Sequence, residues 1–269
     1  MPRFFLANGA HRRIEGWPLV FTVLTVGAIL VGTVVELAPI FLVGSATAPI
    51  ATLQPYTPLE LEGRDIYIAE GCNNCHSQQI RPFQDEALRY GPASLAGEGS
   101  YDTPHLWGSK RTGPDLARLG GKYPHLWHVR HMDDPRSTSP QSIMPSYRHL
   151  LTNRLDLSDV GAKMRGLRRI GVPYTDADIA AAPARAQSQA DSIAAAVVSQ
   201  GGPERLANQE IVALVAYLQR LGLDLARLDA ATPDDRAEPT LEGHEVREIY
   251  ETTQPGVPGP PVPASRPTP

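Results

Sequence analysis

GCNNCH at residues 71–76 decides the fold of this chain, because Cys72 and Cys75 are the only two cysteines among its 269 residues. Two cysteines separated by two residues and followed directly by a histidine form the attachment pattern of a c-type haem. The thiols bond to the two vinyl groups of one porphyrin, and the histidine coordinates the iron. The pattern therefore predicts one covalently bound haem c, attached at Cys72 and Cys75, with His76 as an axial ligand.

Two other kinds of site use a Cys-x-x-Cys pair: a structural zinc site and a thioredoxin-type redox centre. A zinc site needs two further ligands and no cysteine is left, although His125, His128 and His131 could supply them. A redox pair is expected directly after a buried strand, and nothing upstream of Cys72 has the pattern of one. Haem attachment is therefore the favoured interpretation.

The composition narrows the partners and the architecture. The chain carries 25 Lys and Arg against 29 Asp and Glu, and this mildly acidic balance argues against a nucleic-acid partner. Its 26 prolines and 23 glycines interrupt the chain too often for long regular elements through its middle. We expect a small helical core with long loops.

An apolar run fills residues 17–43, WPLVFTVLTVGAILVGTVVELAPIFLV, and its single ionisable residue is Glu36. About 20 apolar residues cross the hydrocarbon core of a lipid bilayer, so the run predicts one transmembrane helix. Arg3, Arg12 and Arg13 precede the run, whereas the first charges after it are those of Glu60 and Glu62. The positive-inside rule therefore predicts a cytoplasmic segment at residues 1–16 and a haem motif on the outer side.

Two features of this run leave alternatives open. The sequence ATA at residues 46–48 resembles the cleavage site of a signal peptide, but the run is about twice as long as the apolar region of such peptides, which favours a retained anchor. Ionisable groups within a membrane usually face protein, so we expect Glu36 to face a partner subunit. A hydrated position near the outer interface is the alternative for Glu36.

Two amphipathic segments flank the haem motif. Residues 61–71 have apolar side chains in loose helical spacing and end at Gly71, which can make the turn into the motif. The segment NQEIVALVAYLQRLG predicts a helix that is capped by Asn208 and ended by a glycine. Together with the haem motif these helices resemble class I cytochromes c, in which the first and last helices cross beside the haem. The resemblance implies that Tyr67 and Tyr217 meet at the crossing.

The second axial ligand of the iron must come from another part of the chain. Met144 precedes Pro145, which restrains its backbone to an extended conformation, and this Met-Pro pair resembles the class I pattern of ligation through sulfur. Met132 lies in a polar run, and Met164 lies in a helix-like segment where a buried methionine is common. Histidine ligation stays open by spacing at His105, His128, His131 and His149.

Further residues of the haem pocket are predicted from resemblance and from side-chain chemistry. Residues 113–116, GPDL, resemble the Gly-Pro-x-Leu of class I cytochromes, whose proline carbonyl accepts the ring N–H of the haem-ligating histidine. Gly113 and Pro114 are therefore expected beside His76. Arginine binds carboxylates with a fork of N–H groups. Candidate partners of the haem propionates are Arg81, Arg111 and Arg130, together with Trp107 and Trp127.

Four separated blocks, in order, resemble one family. They are CNNCHSQQIRP from residue 72, GEGSY from residue 97, WGSKRTGPDL from residue 107 and SIMPSY from residue 142. From the anchor to about residue 225 the chain is similar to the mono-haem subunit of cbb3-type cytochrome c oxidases. The resemblance implies a place in the bacterial inner membrane with the haem domain in the periplasm. It also implies two partners, a di-haem cytochrome c subunit that donates electrons and a catalytic haem-copper subunit that accepts them, and it puts Tyr147 in the haem pocket.

The expected fold is mainly α, with one N-terminal transmembrane helix and a class I cytochrome c-like helical domain that carries long loop insertions. We place a linker at residues 44–59, the cytochrome domain at residues 60–225 and a Pro-rich, disordered tail at residues 226–269. Residues 77–112 form a long loop that is expected to dock on the catalytic subunit. Residues 175–199 begin with a capping-box pattern and are expected to form a peripheral helical insertion.

Two other functions are compatible with the haem motif. One is a free-standing membrane-anchored cytochrome c, or the small subunit of a nitric-oxide reductase, for which the long loop at residues 77–112 would be unnecessary. The other is a haem-based sensor, which needs a displaceable second ligand. Iron held by both His76 and Met144 has no open position and favours electron transfer, so the chain itself is expected to perform no bond chemistry.

Overall fold

The computed structural model describes residues 15–42 and 48–230, with the backbone alone for residues 39–42. The helices are α1 Pro18–Leu42, α2 Pro58–Ala69, α3 Gln84–Tyr90, α4 His125–Asp133, α5 Val160–Arg169, α6 Asp176–Ala180, α7 Ala182–Ser199, α8 Glu210–Arg220 and α9 Leu223–Ala230. Short 3₁₀ turns lie at Cys72–Asn74, Ala96–Gly99, Pro135–Ser137 and Arg148–Leu151. Over these described ranges there is no β-strand, and the expected mainly α fold is confirmed.

Helix α1 is apolar, and its residues are exposed from Pro18 to Leu37. Residues Pro18–Ala38 within it are long and apolar enough to cross a membrane. The helix begins at Pro18, one residue after the predicted start at Trp17. Proline is favoured at the first position of a helix, because the N–H that it lacks would have no helical partner there. Glu36 is exposed on this helix.

Helices α2 and α8 cross in close contact and form the centre of the domain. Helix α2 begins with a capping box in which Thr57 and Glu60 bond each other's backbone N–H groups. Gly63 lies at the crossing, where an added Cβ would be 1.9 Å from the carbonyl oxygen of Ala213. The rings of Tyr67 and Tyr217 meet there with centroids 5.4 Å apart, which confirms the predicted contact.

The start of α8 differs from the prediction by one residue. Gln209, not Asn208, is the N-cap residue, and its side chain makes no capping bond. The reason is an extended connection beside it, since the carbonyl of Asn208 accepts the N–H of Leu155 at 2.9 Å and Gln209 forms an isolated antiparallel bridge with Arg154.

Residues 175–199 are helical as predicted, but they are not peripheral. The capping box at Thr175 and Asp178 forms and starts the short helix α6. Helix α7 then packs on α2, α4 and α8 and buries one face in the main core. In the main core that face consists of Ala186, Ala190, Ile193, Ala194 and Val197, while Ala182 at the start of the helix is buried in a second cluster. Alanines spaced four apart lie on one side of a helix and allow close packing, so the expectation of a surface insertion was wrong.

Two downstream methionines are core residues. Met132 on α4 is buried in the main core, and Met164 on α5 is buried in a second cluster with Val160 and Tyr174. Beside Met164, the ammonium of Lys163 binds the carboxylates of Glu62 at 2.6 Å and Asp65 at 2.8 Å. The positive charge of Lys163 on α5 is therefore paired within the domain.

Both ends of the predicted domain extend further than expected. At the N-terminal side, residues 48–57 lie against the domain, with the Thr52 hydroxyl donating to the Asp224 carbonyl at 2.6 Å and Arg220 donating to the Gln54 carbonyl at 2.9 Å. At the other end, α9 runs through the predicted boundary at residue 225 to Ala230. The expected tail beyond that, residues 231–269, lies outside the described part of the chain, as do residues 1–14.

Candidate haem-binding site

A left-handed turn delivers the cysteine motif at the end of α2. Gly71 has φ 69°, a conformation that favours glycine, and the Cys72–Asn74 turn follows it. The carbonyl of Cys72 accepts the N–H of Cys75 at 3.2 Å and that of His76 at 2.9 Å, so one turn of backbone holds all three motif residues. Cys72 is buried, Cys75 is exposed and neither forms a disulfide.

Other metal-ligating side chains are not grouped with the cysteines in the described part of the chain. Burial raises the pKa of the Cys72 thiol to about 12. Among the described residues, no group of three or more His, Cys, Asp or Glu side chains is arranged to hold a metal ion. His125, His128 and His131 lie together on α4 and do not join the cysteines in such a group.

The imidazole of His76 is oriented by the backbone of residues 113–114. Its Nδ1 lies 2.8 Å from the carbonyl oxygen of Pro114, which fixes the proton on Nδ1 and leaves Nε2 for a metal. A Cβ added to Gly113 would lie 2.2 Å from Cε1 of the ring, so only glycine fits against it. Burial lowers the pKa of His76, while the Pro114 carbonyl raises it, and the net shift favours the neutral ring that a metal needs.

Backbone hydrogen bonds fasten this segment to the motif on both sides of Pro114. The N–H of Gly113 donates to the Cys75 carbonyl at 3.0 Å, and the N–H of Leu116 donates to the Ser77 carbonyl at 2.9 Å. The hydroxyl of Tyr67 donates to the His76 carbonyl at 3.3 Å from the side of the helix crossing. The position of His76 is thus set by the GPDL segment and by α2.

Arg111 lies beside this segment but has carboxylate partners within the chain. Its guanidinium binds both oxygens of Glu86, at 2.9 and 2.7 Å, the Gln79 carbonyl at 2.6 Å and Asp115 at 3.1 Å. Arg81 binds the same Glu86 carboxylate. The predicted contact of Arg111 with a haem propionate remains a prediction, and most of its donors are already occupied.

Two tryptophans that were predicted around the haem stack on neighbouring rings. Trp107 is 49% exposed and stacks on His105, with ring centroids 4.3 Å apart. Trp127 stacks between Tyr123 and His131 on α4, at 4.0 and 4.6 Å.

The predicted second ligand lies in a loop that is tied to the core. Met144 is partly buried against the main core, and its N–H donates to the Ser142 hydroxyl at 3.2 Å. The N–H of Tyr147 donates to the Met132 carbonyl at 2.8 Å, which fastens the end of the SIMPSY block to α4. Ile143, between Ser142 and Met144, is 76% exposed.

The alternative ligands have other surroundings. Met132 and Met164 are core side chains, as described above, and His149 binds Glu70 at 3.0 Å. His131 lies 2.5 Å from the Thr138 hydroxyl. His128 is buried and its Nε2 has no hydrogen-bond partner among the described residues; burial lowers its pKa to about 4, so the ring is neutral.

The residues at the motif fit a haem. Two free thiols lie on one turn, the His76 ring is fixed through Nδ1, and Gly113 leaves no side chain in front of that ring. This chain also matches the family model described as cytochrome c oxidase, mono-heme subunit/FixO, over residues 11–225. The chain belongs to this family. A search of curated proteins found no match.

Membership gives the mono-haem subunit its general function. It is a subunit of cytochrome c oxidase, an enzyme complex of the electron-transport chain, and the family is membrane-associated and carries a single haem. The exposed apolar helix α1 is compatible with that membrane association.

Two features of the mono-haem subunit were missed from its sequence. Gly63 was not singled out, although a glycine within a helical pattern is a signal of close packing. Glu86 was missed because it lies on a short helix within the long insertion, 25 residues from the arginine that it binds, and no periodic pattern connects the two.

Proposed function

We propose that this chain is the electron-transferring subunit of a cbb3-type oxidase and performs no bond chemistry itself. It accepts electrons from a di-haem cytochrome c subunit and passes them to the catalytic haem-copper subunit, which reduces oxygen to water. A haem bound at this site supplies a one-electron couple between ferric and ferrous iron.

The contact between His76 Nδ1 and the Pro114 carbonyl is the observation that carries the proposal. It supports His76 as an axial ligand through Nε2, and Cys72 and Cys75 on the same turn support covalent attachment. Met144 is proposed as the second ligand, which would close the iron to oxygen and suit it to electron transfer.

The exposed apolar surface supports association with partners. Phe83 directly precedes α3 and is 54% exposed, and Leu88 lies within α3 and is 74% exposed. Both belong to the long loop at residues 77–112, which we propose docks on the catalytic subunit. We propose that α1 is a retained membrane anchor with a cytoplasmic N-terminus and that Glu36 faces a helix of the catalytic subunit. The cytochrome domain is then periplasmic at the inner membrane.

Haem attachment is tested on the full chain, expressed with the c-type haem maturation system of a bacterial host. Haem that stays with the chain after denaturing electrophoresis is attached covalently. We expect Cys72→Ala together with Cys75→Ala to abolish it and His149→Ala, an exposed histidine used as control, to leave it unchanged. Covalent haem that persists without both cysteines would overturn the assignment.

The partners are tested by purifying the chain from membranes in a mild detergent, with a tag at its C-terminus. We expect recovery of a multi-helix subunit with b-type haem and copper, together with a di-haem cytochrome c, and oxygen consumption that cyanide inhibits. His76→Ala should reduce oxygen consumption while the subunits still co-purify. Recovery of the haem-loaded chain alone would instead favour a free-standing anchored cytochrome.

A further inference from the structure

A buried group of charges lies behind the segment that orients His76. It consists of Glu86 on α3, Arg111 and Asp115, which we call the ionic bracket. The side chains of Glu86 and Asp115 are 5% and 0% exposed, and that of Arg111 is 15% exposed. Paired charges at this depth are strong and directional, since water does not compete for their hydrogen bonds.

The ionic bracket encloses Gly113 and Pro114 in sequence and in space. Arg111 and Asp115 flank the two residues and are joined by a hydrogen bond of 3.1 Å from Nε to Oδ2. Asp115 also accepts the N–H groups of Gln79 at 3.2 Å and Ala117 at 2.8 Å. The short loop that carries the Pro114 carbonyl is therefore closed at its base by a side-chain bridge.

Glu86 fixes the bridge to a separate element. Its two oxygens accept the two terminal nitrogens of Arg111, at 2.9 and 2.7 Å, in the forked geometry that arginine provides and lysine does not. Hydrogen bonds from Arg111 hold the pKa of Glu86 at about 2, so this carboxylate is charged at neutral pH. The insertion at residues 77–112 thereby supports the loop against His76.

We propose that Glu86 and Arg111 are positioning residues that set the reduction potential of the haem through the hydrogen bond between Pro114 and His76. The proposal rests on His76 being the proximal ligand, as in the proposed function. A firm hydrogen bond at Nδ1 makes the imidazole a more basic ligand, which stabilises ferric iron. Loosening the bracket weakens that bond and favours ferrous iron, so the potential rises.

The test is a redox titration of the haem-loaded full chain in detergent at pH 7. Arg111→Lys keeps the charge but loses the fork, and Glu86→Gln keeps the shape but loses the charge. We expect both to shift the ferric-to-ferrous equilibrium threefold to tenfold toward ferrous iron; tenfold corresponds to about 59 mV for one electron. A pure charge effect would leave Arg111→Lys unchanged.

The matched control is Glu98→Gln. Glu98 accepts a similar fork from Arg118, at 2.6 and 2.7 Å, in the same insertion, but it makes no bond to residues 111–115. We expect a shift of less than twofold. The proposal would be overturned if the haem-loaded bracket variants had a ferric-to-ferrous equilibrium within twofold of the unmodified chain, or if Glu98→Gln shifted it equally. Either result would leave the proposed electron-transfer function intact.

Two further outcomes are decisive. If Glu86→Gln fails to retain haem, Glu86→Asp is titrated in its place, because it keeps the charge and shortens the reach; a shift of at least twofold supports the proposal, and none overturns it. A chain that carries no haem at Cys72 and Cys75 overturns the proposed function and this proposal together.

Discussion

The helix crossing and the long insertion are held together by different forces. At the crossing of α2 and α8, apolar and aromatic side chains pack around Gly63, and the helices touch through backbone atoms. In the insertion at residues 77–112, few side chains are buried, and the carboxylates of Glu86 and Glu98 accept forks from Arg111 and Arg118. Apolar packing depends on shape and volume, whereas the forks depend on charge and direction. The two regions should therefore respond to different changes.

The largest effect is expected at the crossing. Gly63→Ala puts a methyl group 1.9 Å from the Ala213 carbonyl oxygen, which pushes the two helices apart, and we expect a loss of more than about 3 kcal/mol in the free energy of unfolding. Gly166→Ala is the control, because nothing lies within 4 Å of its Cβ position in helix α5, and it should gain about 0.5–1 kcal/mol. Urea unfolding followed by circular dichroism measures both, and equal stability of the two variants would refute the close crossing.

A second test enlarges the alanine face of α7. Ala190 is fully buried, so Ala190→Leu must displace its neighbours, and we expect a loss of about 2–3 kcal/mol in the free energy of unfolding. Ala195 is exposed on the same helix, and Ala195→Leu should change stability by less than about 0.5 kcal/mol. The same unfolding curves measure both variants. An Ala190→Leu variant as stable as the unmodified chain would mean that α7 is peripheral.

The insertion should instead be sensitive to pH. Arg111 holds the pKa of Glu86 at about 2, below its usual 4.5, so the carboxylate stabilises the fold fully above pH 4.5 and loses this contribution as the pH falls toward 2. We expect Glu86→Gln to cost about 2 kcal/mol at pH 7 and progressively less below pH 4.5.

The control for this pH effect is Asp176→Asn. Asp176 binds Arg168 at 2.6 Å, but its side chain is 94% exposed, so its loss should cost less than about 0.5 kcal/mol at pH 7. Thermal unfolding between pH 3 and pH 8 measures the difference from the unmodified chain. A Glu86→Gln deficit that stays constant down to pH 3 would contradict the assignment.

The smallest effect is expected where the two regions meet. The Tyr217 hydroxyl on α8 donates to Oε1 of Gln78 at 2.9 Å, and the Tyr67 hydroxyl donates to the His76 carbonyl at 3.3 Å. Removing one hydroxyl deletes one hydrogen bond and little packing, so Tyr217→Phe should cost about 1 kcal/mol and Tyr67→Phe about half of that. Chemical unfolding of the two variants ranks the bonds, and the reverse order would mean that the longer bond is the stronger one.

The sequence predicted the parts of the fold that depend on periodic or local patterns. The contact of Tyr67 with Tyr217 could be predicted because both helices show apolar spacing and resemble the crossing helices of class I cytochromes c. The turn at Gly113 and Pro114 could be predicted because the four adjacent residues GPDL are enough to recognise it. Helix α7 was misjudged because Pro183 interrupts the alanine-rich run in the sequence, and proline usually breaks a helix. Pro183 lies in the first turn of α7, where proline is tolerated, so the alanines after it could still form one buried face.

The ionic partners could not be predicted from the sequence for a physical reason. Each fork joins residues that are far apart in an irregular segment, such as Arg118 and Glu98, and charged residues of that kind are usually exposed. Only the folded arrangement decides which arginine binds which carboxylate. The predicted role of Arg111 at a haem propionate therefore rested on side-chain chemistry alone.

The contacts of residues 48–57 with the domain limit how far the domain can lie from the end of α1. Helix α1 ends at Leu42, and by residues 48–52 the chain is already held, with the Ile50 N–H on the Gly97 carbonyl at 3.4 Å and the Thr52 hydroxyl on the Asp224 carbonyl. Whatever path the residues between take, the step from Leu42 to Ala48 spans at most about 20 Å. If α1 is held in a bilayer, as proposed, this short connection keeps the domain close to the membrane surface.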